Sequence, residues 1–135
     1  MVLEHSEDGA FFLTNERMER MAKAYLLVRV TIRDVAAYQE YMKHTPRIID
    51  AHGGRMIVRG GEVDTLEGPE ETQRHVIIEF PSSETARAFY ESEDYASAKA
   101  LREGAGEAQF VLLEGYAPES WEDAVQASQL GEAAG

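Results

Sequence analysis

The sequence predicts an α+β fold of ferredoxin-like type, β-α-β-β-α-β, with a four-stranded antiparallel sheet that carries its helices on one face. Three observations point there. Four β-rich, largely apolar segments alternate with helix-like segments in that order. Chain punctuation (Gly53–Gly54, Gly60–Gly61, Pro81 and Gly104) falls between the segments. In two strands one alternate set of side chains is wholly apolar while the other is mixed, as expected of a sheet covered by helices on one side only.

Each element has its own signal. "AYLLVRVTI" (residues 24–32) is a central strand. Asp34 is an N-cap for "VAAYQEYMKH", which Pro46 is expected to interrupt. Thr45 can cap a restart, with Pro46 at the first helical position, and "RIIDAH" then runs to the glycine pair. "RMIVR" is the second strand, followed by a polar connection. "RHVIIEF" is the third, stopped by Pro81. Ser82 or Ser83 caps "ETARAFYES", and Ser92 caps "EDYASAKALRE", which Gly104 ends. "AQFVLLEG" is the fourth strand.

Three regions follow: an N-terminal extension (residues 1–22), the ferredoxin-like domain (23–117) and an acidic C-terminal tail (118–135). Met18 and Met21 both precede the first strand, so the extension is either natural or a misplaced start. Trp121, Ala124, Val125 and Ser128 have helical spacing, which suits a short docking helix or a frayed tail.

Composition narrows the function. A formal net charge of −12 repels nucleic-acid phosphates. No run approaches the ~20 apolar residues of a membrane span, and the N-terminus has acids where an export signal needs bases. With no cysteine, there is no disulfide framework and no thiolate metal site or nucleophile. These features suit a cytoplasmic protein.

The strand alternation places Leu26, Val28, Val30 and Ile32 of strand 1 and Val76, Ile78 and Phe80 of strand 3 against the helices. Tyr25, Leu27, Arg29 and Thr31 lie on the opposite face with His75, Ile77 and Glu79. In strand 2, Met56 and Val58 read as helix-facing, and Arg55, Ile57 and Arg59 as facing away. A half-apolar face with pairable charges is typical of an interface, which predicts a homodimer through the open sheet face.

At this point the chain resembles a known family. "YLLVRVTIRDVAAYQEYMKHTPRIIDAHGGRMIVRGGEVDTLEG", "HVIIEFPSSETARAFYESEDYASAKALREGA" and "FVLLEG" are similar to the small bacterial family called domain of unknown function 1330, over about residues 23–116. The pieces that carry the resemblance are the double glycine before strand 2, "LEG", "EFPS", "FY-x-S-x-x-Y" and the closing "EG". The resemblance implies a dimeric α/β barrel, in which two ferredoxin-like sheets meet face to face. The wider superfamily includes cofactor-free monooxygenases, haem-degrading enzymes, muconolactone isomerase and stress-responsive dimers. The family itself carries no assigned activity.

Candidate chemistry is correspondingly diffuse. The glycines around strand 2 lack the Gly-Lys-Ser/Thr and the strand-to-helix context of a phosphate loop. His44 and His52 are too far apart in sequence for a helical zinc pair, so no metal or other cofactor is expected. No nucleophile elbow is present. The open-face set Arg29, Arg55, Arg59, His75 and Glu79 could hold a carboxylate or enolate, with His75 or Glu79 moving a proton as the catalytic group. The same groups could simply tie a dimer together, and that plainer reading is favoured. On the helices, Tyr38, Tyr41 and His44, and Tyr95 with Arg102, could line a cleft that binds a small organic ligand. Arg102 needs a partner, either Glu91 or the ligand. The expectation is a small dimeric enzyme performing isomerisation or oxygenation, with a non-catalytic ligand-binding or stress-related dimer as the alternative.

Overall fold

A computed structural model describes residues 22–131. The expected extension, apart from Ala22, and the last four residues of the tail lie outside the described residues. Eight elements follow in order: β1 (Ala24–Ile32), α1 (Val35–Ala51), β2 (Arg55–Arg59), β3 (Arg74–Phe80), α2 (Ser83–Glu91), α3 (Glu93–Leu101), β4 (Gly106–Glu114) and α4 (Pro118–Gln129). The sheet order is β2-β3-β1-β4 with every neighbouring pair antiparallel, which is the ferredoxin-like arrangement.

The caps act as the sequence indicates. Asp34 Oδ1 accepts from the Ala37 amide at 3.1 Å. Ser82 and Thr85 form a reciprocal capping box at the start of α2, and Ser92 caps α3. Gly53, at φ +78°, closes α1 in the left-handed conformation, and the Gly54 amide then reaches back to the Ile49 carbonyl oxygen.

The core lies between the sheet and the helices. Leu26, Val28, Val30, Val76, Ile78 and Phe80 are buried there, as the alternation predicts. Phe89 and Tyr95 pack with ring centroids 4.7 Å apart, and Phe80 lies 5.3 Å from Phe89. A fully buried ring of this kind contributes roughly 1.5–3 kcal/mol. α1 packs across α3 on this layer. α4 buries none of its residues, and Trp121 is 62% exposed.

Two expectations are corrected. Pro46 does not divide the first helix, because α1 runs unbroken from Val35 to Ala51 with Pro46 inside it. Thr45 is buried mid-helix and its hydroxyl donates to the Met42 carbonyl oxygen at 3.5 Å, so it is not a cap. The proline therefore removes one hydrogen bond and leaves the helix standing.

The second correction concerns β2. Met56 pairs with Ile78, but Val58 pairs with Ile77 and Arg59 with Val76, so a bulge lies between Met56 and Val58. Cross-strand partners share a face. Val58 is therefore on the open face with Ile77, and Arg59 is on the helix face with Val76, the reverse of simple alternation. Arg55, opposite Glu79, and Met56, opposite Ile78, keep their expected sides.

Candidate functional site

A pocket lies between α1 and the helix-facing side of the sheet. α1 contributes Tyr38, Tyr41, Met42 and Thr45, spaced i, i+3, i+4 and i+7 on one helix face. Val28, Met56, Val76 and Ile78 form its floor, with Phe89 and Phe110 behind. Arg59 and Arg74 also line it. Arg59 is the one lining residue that is exposed, so the arginines mark the open end. The cavity measures about 30 Å³, room for a few water-sized groups. A wider cleft of about 200 Å³ between α2 and β4 is shallower, and its charged groups, Arg87 and Glu91, are exposed.

Three local features build the arginine end. Pro46 has no N–H, which frees the carbonyl of Met42 four residues earlier. That oxygen accepts from Arg59 Nη2 at 3.3 Å. The bulge turns Arg59 towards it. Gly60, at φ +68°, then gives room to Arg74, whose guanidinium would collide with any Cβ at that position. Arg74 Nη2 is 3.5 Å from Met42 Sδ, a weak acceptor, and Arg74 Nε is buried without a hydrogen-bond partner.

Deeper in the core, the hydroxyls of Tyr41 and Tyr95 are 2.7 Å apart. Arg102 Nη2 donates to the Tyr95 hydroxyl at 3.3 Å. Its guanidinium carbon lies 5.4 Å from the Tyr41 ring centroid and 5.1 Å from that of Phe110. The Tyr95 hydroxyl and the rings of Tyr41 and Phe110 thus partner Arg102, rather than Glu91. Burial pushes the Tyr41 hydroxyl far above the ordinary tyrosine range, helped by Tyr95. Burial also raises Tyr38, against the opposing pull of Arg102. These phenols are neutral donors at physiological pH.

The remaining predicted residues lie elsewhere. His44 is on the outer side of α1, 3.8 Å from Glu40. On the open face, Arg29 pairs with Glu71 at 2.9 Å, and this bond, with the Gln73 amide, holds the Glu71 carboxyl below its usual range. Glu79 accepts from Arg55 at 3.0 Å and from Tyr25 at 3.3 Å. His75 Nδ1 is 3.0 Å from the Gln73 carbonyl oxygen. The structure thus separates the predicted set: Tyr38, Arg59, Tyr95 and Arg102 gather beneath α1, while Arg29, Arg55, His75 and Glu79 remain on the open face. Arg74 was missed. Counting back two from Val76 along the apolar set of β3 would have found a charge on the helix face. Among the described residues no cluster of three or more histidines and carboxylates could hold a metal ion. Nor is any helix there long and apolar enough to cross a membrane.

The open face also carries an apolar row. Val58, Ile77, Leu27 and Val111 stand side by side across all four strands. The Arg55–Glu79 pair lies to one side of it and Arg29 to the other.

Solved structures are similar to this chain. RPA0582, a protein of unknown function from Rhodopseudomonas palustris, is 21% identical, covering 78% of this chain and 94% of its own, at a TM-score of 0.59. A methylated form of RPA0582 is 22% identical, covering 87% and 96%, also at 0.59. A dimeric protein of unknown function with a ferredoxin-like fold from Bacteroides fragilis is 15% identical, covering 68% and 95%, at 0.44. No curated protein matches the chain. The sequence model of the family described as Domain of unknown function (DUF1330) matches residues 23–116, and the chain belongs to that family.

Proposed function

We propose that the protein binds a small organic molecule in the pocket beneath α1 and works as a homodimer closed through its open sheet faces into an α/β barrel. The pocket carries the first half: an apolar cavity on which the Tyr38 and Tyr41 side chains and two arginines converge. The apolar row flanked by charges supports the second half. In this reading Arg29, Arg55, His75 and Glu79 serve the dimer contact rather than proton transfer, since Arg29, Arg55 and Glu79 are already paired within the protomer.

A second, catalytic reading rests on the Tyr41–Tyr95 hydroxyl pair backed by Arg102. Hydroxyls fixed in this way can donate hydrogen bonds to a developing enolate, as cofactor-free isomerisation or oxygenation would require.

Filling the pocket tests the binding reading. Small aromatic and aliphatic fragments should raise the melting temperature of the wild-type protein, and Met42→Trp, on a half-buried position of the lining, should abolish the rise while the protein stays folded. Fragments that stabilise both proteins equally would place binding elsewhere.

A further inference from the structure

The arginine end of the pocket is unusual in a chain with 25 acidic and only 13 basic residues. Arg29, Arg33 and Arg55 each meet a carboxylate: Glu71, Glu107 and Glu79. Among the described residues five arginines meet none, namely Arg47, Arg59, Arg74, Arg87 and Arg102, and of these Arg59 and Arg74 line the pocket. Both instead touch Met42, through a carbonyl oxygen at 3.3 Å and a thioether sulfur at 3.5 Å. Two like charges drawn to one residue repel unless an anion lies between them. Arg74 Nε adds a buried donor with no acceptor.

We propose that this end of the pocket is an anion site, and that the molecule bound beneath α1 is a small organic carboxylate. The proposal rests on the reading of the α1 pocket as a ligand site and names what that site selects. A guanidinium fork matches a carboxylate in two parallel hydrogen bonds. Apart from the hydroxyls of Tyr38, Tyr41 and Thr45, the rest of the lining, including Val28, Ile49, Val76, Ile78 and Phe110, is apolar and suits a hydrocarbon body. That contrast favours an organic acid over inorganic phosphate, which would leave the apolar wall unused. The cavity of about 30 Å³ admits the head group of such an acid. Met42 and Met56, both half-buried and flexible, are the side chains able to move aside for its body. The net charge of −12 disfavours anions over the surface at large, so specific uptake of an acid would report this local exception.

The experiment compares butyrate and benzoate with their uncharged isosteres butyramide and benzamide, and with inorganic phosphate, by calorimetry at low salt. The acids should bind about 10- to 100-fold more tightly than the amides, the range expected for hydrogen bonds to a charged group. Arg59→Ala, at an exposed position, should erase that preference, and Arg74→Gln should do the same if it folds. Amides that bind as well as the acids, or a preference unaltered in Arg59→Ala, would overturn the anion site and leave the pocket reading standing. If neither acids nor amides bind the wild-type protein, both fall. Phosphate that binds as tightly as benzoate would overturn the organic acid.

Discussion

Arg59 and Arg74 reach Met42 by different routes, one through a strand bulge and one over a glycine. Neither route depends on the hydrophobic patterning that builds the core. Beneath them Tyr41 shows what burial does to a polar group. Its hydroxyl has one hydroxyl partner, Tyr95, and a guanidinium across its ring. Because its folded-state pKa is raised, the unfolded chain ionises first. The stability linked to Tyr41 is therefore fully present below the ordinary tyrosine value of 10.0 and falls as pH rises beyond it. Tyr41→Phe should lose about 1 kcal/mol at neutral pH, for one buried hydrogen bond. It should also flatten the decline of stability above pH ~10, read by denaturant titration across that range.

At the scale of elements, α1 combines two roles that conflict. It is a long packing helix, yet it carries Pro46 in its interior. Pro46→Ala should stabilise the protein by about 1–3 kcal/mol, because the Met42 carbonyl oxygen regains a helical donor. The same change should weaken the hold of that oxygen on Arg59, lowering ligand affinity as the midpoint of unfolding rises. The elements themselves were legible in the sequence: caps at Asp34, Ser82 and Ser92, and apolar alternation in β1 and β3, correspond to the structure almost residue by residue. The site was legible only in part. Tyr38, Tyr95 and Arg102 follow from helical spacing, and Arg74 follows from the alternation of β3, two residues before Val76. Arg59 does not follow, because strand alternation assumes a regular ladder and the bulge between Met56 and Val58 reverses the faces beyond it. Pro46 misled for a related reason. Tertiary packing against α3 and the core holds a helix that local preference alone would break.

Across the whole molecule, the two faces of the sheet divide the work. One face and its helices enclose the core and the pocket, and the other carries the apolar row Val58, Ile77, Leu27 and Val111, the surface proposed to meet a second copy. Leu27→Asp, at the centre of that row, should convert a dimer to a monomer in sedimentation at micromolar concentration, with its protomer still folded. A wild-type protein that sediments as a monomer would remove the barrel. The central claim is that ligand binds on the helix side of the sheet, and methyl NMR tests it most directly. The chain has five methionines, and two of them, Met42 and Met56, line the pocket. On adding benzoate, the Met42 and Met56 methyl resonances should shift while those of Leu27, Val58 and Val111 stay in place. Shifts confined to Leu27, Val58 and Val111, with Met42 and Met56 unmoved, would contradict the account and put the site inside the barrel.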